Sequence, residues 1–152
     1  MRYYSYENFR DDMKILVSKL DITPSAIVAI ARGGLTMGHF LGIALDIRNV
    51  FTINATLYFN KQKELLQISN IPSLEGHEHV LVVDDIVDSG ESMSKVCQIL
   101  GASNPSAHIQ SAAIFYKDSA CIMPTYTLHR TEEWIEFFWE VDVLDGQRIE
   151  QR

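Results

Sequence analysis

At 152 residues the chain is long enough to bury a real core and too short for more than one domain of ordinary size. With 47% apolar and 22% charged residues it has a globular composition, and a formal net charge of −7 argues against a nucleic-acid binder, which needs clustered Lys and Arg. The same charge leaves room for a small polyanion held by a few local cations, helix N-termini or a metal ion.

The opening MRYYSYENFRDD has no apolar stretch of signal-peptide type, and no run approaches the length of a membrane span. Phe9, Met13, Leu16, Val17 and Leu20 recur at helical spacing, which predicts an amphipathic helix over about 5–20 with Ser5 near its N-cap. Residues 21–25, with Pro24, break it. AIVAIA, 26–31, is a short uninterrupted apolar run, the pattern of a parallel strand covered on both faces. Gly33 and Gly34 predict a tight turn into a helix at about 35–46, where Gly38 and Gly42 leave a small-residue face for close packing. Phe51, Ile53, Ala55 and Leu57 alternate with Thr52, Asn54, Thr56 and Tyr58, a period-two strand; FNKQKE, 59–64, reads as a polar loop and LLQIS as a short strand. A turn at 75–78 precedes the strand VLVVD. Met93, Val96, Cys97 and Leu100 mark a helix ended by Gly101, with Cys97 an inert core thiol on its apolar stripe. HIQSAAIFYK, 108–117, is another buried strand. The order β-α-β, β-α-β predicts an α/β fold: an open, mainly parallel sheet flanked by helices, in one domain spanning 1–152. Cys97 and Cys121 form neither a metal-ligand spacing nor a disulfide framework, so reduced thiols and a cytoplasmic location are the expectation.

Two turns, ARGG and DDIVDSGES, each follow a strand and lead into a helix. Ligands of open parallel sheets bind beyond the carboxyl ends of the strands, so both turns belong to one candidate site. Adjacent Asp84 and Asp85 leave their strand on opposite sides. Clustered buried carboxylates are costly unless something neutralises them, and a divalent metal or sugar hydroxyls would do so. Asp88 stands where it could take a proton from a substrate. Ser89, Gly90, Glu91 and Ser92 open a helix whose first N–H groups lack intrahelical partners, which suits a phosphate. On the turn alone, a plain strand-to-helix connection with Ser89 as N-cap is the simpler reading; three aspartates directly after VLVV favour a ligand site. His77 and His79 share a strand face, but no third ligand has a recognisable spacing.

VLVVDDIVDSGES resembles the phosphoribosyl-pyrophosphate signature of the type I phosphoribosyltransferases, and IARGG, 30–34, resembles the pyrophosphate loop of that family. IFYK, ending in Lys117, resembles the strand whose lysine reads the 6-oxo group in 6-oxopurine enzymes. EWIEFFWE, 133–140, resembles the base-binding hood of the bacterial xanthine-guanine branch. The resemblance implies that fold, with roughly 118–152 contributing a small C-terminal hood. It implies a Mg²⁺-dependent enzyme of purine salvage that transfers 5-phosphoribosyl from phosphoribosyl pyrophosphate to N9 of guanine, xanthine or hypoxanthine.

Residue by residue, it implies that Ala31, Arg32, Gly33 and Gly34 hold pyrophosphate across a cis Ala31–Arg32 bond. Asp84 and Asp85 would hold the ribose hydroxyls and, directly or through water, the metal. Asp88 would accept the N7 proton. Asp88, Ser89, Gly90, Glu91 and Ser92 would hold the 5′-phosphate. Lys117 would bond O6, Trp134 would stack on the base and Ile135 would offer backbone groups at its 2-position. Two departures stand out: Ala31 replaces an expected serine, and Glu91 a more usual glycine or lysine, which counts against a tight phosphate cup. Lys63, with Lys61, lies in the polar loop and either closes on pyrophosphate or is a solvated loop charge. Trp139 reads as core. The family also implies a dimer or tetramer.

Three rivals remain at this level. A receiver domain also carries VLVVDD, but with its acidic pair near the N-terminus. A regulatory protein of the same fold would bind RNA instead of catalysing. A catalytic relative would use another base, such as hypoxanthine, adenine or a pyrimidine.

Overall fold

The computed structural model describes residues 1–144. Its centre is a six-stranded sheet in the order β4-β3-β2-β5-β6-β7. The strands are β2 (Ala26–Ala31), β3 (Val50–Asn60), β4 (Lys63–Ser69), β5 (His79–Val87), β6 (His108–Tyr116) and β7 (Tyr126–Arg130). Every pairing is parallel except that of β3 with β4, so the expected open, mainly parallel sheet is the one formed. Helices α1 (Tyr6–Lys19) and α2 (Leu35–Ala44) cover one face and α3 (Glu91–Ser103) the other.

Strand alternation divides the core in two. In β2, Ile27 and Ala29 pack with Phe9, Leu16, Met37 and Leu41, while Ala26, Val28 and Ile30 pack with Met93, Val96 and Leu100. Leu81 and Val83 of β5 join the first cluster, Val80 and Val82 the second. Ser5 caps α1 as expected, its Oγ accepting from the Asn8 N–H at 3.2 Å. Gly38 and Gly42 let α2 lie directly on the sheet: a Cβ at either would stand 2.9 Å from Ala29 Cβ or Val50 Cγ2.

The structure departs from the sequence reading in several places. Residues 59–64 are not a loop: β3 and β4 run through them to a two-residue turn at Lys61 and Gln62, both at positive φ (46° and 74°). Such a turn follows the twist of the paired strands. Because β2 stops opposite Asn54, this hairpin overhangs the carboxyl end of the sheet. Helix α3 passes through Gly101 to Ser103, and the Asn104 side chain donates to the Leu100 carbonyl at 3.0 Å. Helix α2 stops at Ala44, before Asp46 takes a positive φ of 52°. Strand β5 continues past Asp84 to Val87, so both aspartates lie within it.

A second sheet is absent from the sequence reading. β1 (Arg2–Tyr4) pairs in parallel with β8 (Ile135–Phe137), which leads into the short helix α4 (Phe138–Val141). Of the stretch expected to form the hood, β7 joins the main sheet, β8 and α4 stand apart from it, and residues 145–152 lie outside the described residues. Among the described residues, no helix is long and apolar enough to cross a membrane.

Candidate active site

Parallel neighbours β2 and β5 end side by side, which brings the ARGG turn against the acidic end of β5. The turn is tight: the Gly34 N–H donates to the Ile30 carbonyl at 2.8 Å and the Leu35 N–H to the Arg32 carbonyl at 3.0 Å. The Ala31–Arg32 peptide bond is cis. A Cβ at Gly33 would fall 2.5 Å from Asp85 Oδ2, and one at Gly34 would fall 2.3 Å from the Val83 carbonyl oxygen. At Gly34 the obstacle is backbone, a packing reason independent of any ligand, whereas a side chain at Gly33 would have to displace the Asp85 carboxylate.

The aspartates separate as expected. Asp84 continues the Val80–Val82 side, and Asp85 continues the Leu81–Val83 side, where it meets Gly33. Asp84 Oδ1 accepts the Asp85 N–H at 2.9 Å, and Asp85 Oδ1 accepts the Ile86 N–H at 2.7 Å. Asp85 is buried, and burial together with the neighbouring Asp85 charge pushes the Asp84 carboxyl well above the usual carboxylate range. A hard divalent cation would answer that repulsion, and oxygen donors of this kind suit Mg²⁺. Among the described residues no group of three or more His, Cys, Asp or Glu forms a metal cage. Mg²⁺ does not need one, since it typically takes one or two carboxylates together with substrate phosphates and water.

Beyond β5 the turn at Asp88–Ser92 opens α3. Gly90, not Ser89, is the N-cap: its φ of 84° is the left-handed conformation that glycine accepts, and Ser89 Oγ instead receives the Glu91 N–H at 3.3 Å. A buttress stands behind it. The Cys121 N–H donates to the Ser89 carbonyl at 2.8 Å, and a Cβ at Gly90 would meet Cys121 and Ile122 at 3.0–3.1 Å. Glu91 is exposed at the first position of the helix. Cys97 is mostly buried along α3, which pushes its thiol up to about 11.

Asp85, Asp88, Lys117, Trp134 and Ile135 line one cleft between the sheet and the hood. Lys117 follows β6, and its Nζ stands 2.8 Å from Asp88 Oδ1. Trp134 is half-exposed and Ile135 is buried. Trp139 is partly buried and packs against the core, stacked on Phe137 at 4.7 Å between ring centres and set edge-on to Phe9 and Tyr4. The sequence reading missed four residues that line the same cleft: Ile86, Glu133, Phe137 and Glu140. The alternation of Ile135 with Phe137 was a usable signal for one of them; the two glutamates carried none.

Lys63 is not brought to this cluster. It pairs with Asn60 next to the turn of the overhanging hairpin, exposed on a strand and not in a loop. His77 and His79 lie at the opposite, amino end of β5, where His77 Nδ1 is 3.0 Å from Ser25 Oγ.

Residues 5–145 match the phosphoribosyl transferase domain family. The chain is 31% identical over 150 residues to the xanthine-guanine phosphoribosyltransferase of Cereibacter sphaeroides, across 91% of this chain and 86% of that one. Among solved structures, the xanthine-guanine-hypoxanthine phosphoribosyltransferase of Helicobacter pylori superposes with a TM-score of 0.89 at 40% identity, covering 93% of this chain and 95% of that one. The purine phosphoribosyltransferase of Pyrococcus horikoshii gives 0.81 at 29%, covering 90% and 92%.

Proposed function

The chain belongs to the phosphoribosyl transferase family, and from that premise we propose that it is a purine-salvage enzyme acting on 6-oxopurines. The reaction moves the 5-phosphoribosyl group from phosphoribosyl pyrophosphate to N9 of the base, releasing pyrophosphate and a nucleoside 5′-monophosphate.

One observation carries the reading. Lys117 and Asp88 present a donor and an acceptor 2.8 Å apart in the cleft that Trp134 also lines. A 6-oxopurine offers the matching pair on one edge, the O6 acceptor beside the N7 proton. Adenine puts an amino donor where Lys117 needs an acceptor, and a lysine ammonium accepts nothing. The relatives named for xanthine, guanine and hypoxanthine support the same class of base.

In this reading Asp88 takes the N7 proton as N9 attacks C1′, while Trp134 stacks on the ring and Lys117 holds O6. The ribose hydroxyls are held by Asp84 and Asp85, pyrophosphate by the Ala31–Gly34 backbone and Arg32, and the 5′-phosphate by residues 88–92. Mg²⁺ faced by Asp84 and Asp85 would supply the positive charge that stabilises the departing pyrophosphate. Glu133 and Glu140 add carboxylates to the base cleft. They favour guanine, whose 2-amino group donates, over xanthine, whose 2-oxo group does not.

The test is pyrophosphate release with Mg²⁺ and phosphoribosyl pyrophosphate against guanine, xanthine, hypoxanthine, adenine and uracil. Release with the three 6-oxopurines, fastest with guanine, and none with adenine is the expected result. Release with uracil alone, or with no base, overturns the reading.

A further inference from the structure

The proposed chemistry leaves one buried polar cluster without a role. Tyr4, at the end of β1, is 1% exposed and donates its hydroxyl to Asp12 Oδ2 at 2.5 Å. His129 Nε2, from β7, is 2.8 Å from the same oxygen, and Asp12 itself is buried on α1. Three elements far apart in sequence thus meet at one carboxylate oxygen.

We propose that Tyr4, Asp12 and His129 position the base-binding hood through β1. This rests on the reading of Trp134 and Ile135 as base contacts. Strand β8 is hydrogen-bonded to β1 and not to the main sheet, with Arg2 opposite Ile135 and Tyr4 opposite Phe137. The Arg2 N–H donates to the Trp134 carbonyl at 2.9 Å, so β1 holds the backbone of the residue that faces the base. A three-residue strand has few ladder bonds of its own. What fixes it is Tyr4: its ring sits edge-on to Phe115, Phe137 and Trp139, and its hydroxyl is tied to Asp12. The Arg2 guanidinium lies 5.5 Å from the centre of the Phe115 ring, a second tie on the same strand.

The chemistry of the cluster argues for placement over bulk stability. A carboxylate buried among aromatic rings is costly unless it is paired, and apolar side chains of similar volume would fill the space at least as favourably. A hydrogen-bonded set imposes direction, which packing alone does not. Burial and the Asp12 bond push the Tyr4 phenol well above its ordinary range, so the hydroxyl keeps its proton and remains a donor across the working pH range.

The experiment compares Michaelis constants for the two substrates. Tyr4→Phe keeps the ring and removes the donor. It is expected to raise KM for guanine about tenfold while KM for phosphoribosyl pyrophosphate stays within about twofold. Should this variant fail to fold, Tyr4→Phe combined with Asp12→Leu removes the stranded carboxylate and carries the same expectation. Equal changes in both constants, or a lowered Tm with KM for guanine unchanged, overturn the proposal. Trp134→Ala separates the two failures. If it leaves KM for guanine unchanged, the base-site reading fails and the proposal with it; if it raises that constant and Tyr4→Phe does not, the positioning role alone fails.

Discussion

The Lys117–Asp88 pair leaves 25% and 61% of its side-chain surfaces exposed. Exposed ion pairs contribute about 0–1 kcal/mol, so little stability is lost when a ligand parts them. Function and folding therefore separate at these positions. Asp88→Asn should lower kcat by about 10²–10⁴-fold, the range for a lost general base, with KM for phosphoribosyl pyrophosphate little changed and Tm near the parent value. Steady-state kinetics with guanine checks it; unchanged turnover removes the proton-accepting role. Lys117→Met should collapse the preference for guanine over adenine, read from kcat/KM for the two bases, while a preserved preference would show that the amine does not read O6. The sequence made Asp84, Asp85, Asp88 and the ARGG turn legible because each group is contiguous and follows an apolar strand. Glu133, Glu140 and Ile86 were not legible, because they reach the cleft only once the hood docks on β5.

At the scale of the element, the ARGG turn separates packing from binding. A Cβ at Gly34 would run into the Val83 carbonyl, which is backbone and cannot move aside. A Cβ at Gly33 would press on the Asp85 carboxylate, which can turn but only by leaving its place. Gly34→Ala should therefore cost stability, about 1–3 kcal/mol as for other overpacked sites, measured by urea unfolding. Gly33→Ala should show the smaller loss of stability and the larger rise in KM for phosphoribosyl pyrophosphate; the reverse order would contradict this geometry. The apolar runs of β2, β5 and β6 and the stripe of α1 were readable, because burial on both faces or on one stripe leaves a clear period. The β3–β4 turn was not: Lys61 and Gln62 adopt positive φ without the Asn-Gly signal that usually announces such a turn. Gly101 misled because a Cβ there would meet nothing within 4 Å, so the helix simply runs through it. β1 and β8 are three residues each and pair across the length of the chain, which no local pattern encodes.

On the scale of the whole molecule, the two cores are not independent. Both hang on the same strands, with alternate residues of β2 and β5 turned to opposite faces. Losing either face removes the support of the other, so the chain should unfold in one transition, with far-UV circular dichroism and hydrodynamic size changing at the same urea concentration. Two separated midpoints would mean that one face stands alone.

The hood also carries both tryptophans of the chain, in contrasting surroundings. Trp134 is 52% exposed beside the cleft, whereas Trp139 is partly buried and stacked on Phe137. The molecule thus has a built-in optical reporter and an internal reference beside it. Titration with guanine should quench emission from the solvent-facing indole and leave the packed one as baseline, giving a label-free isotherm that Trp134→Phe abolishes.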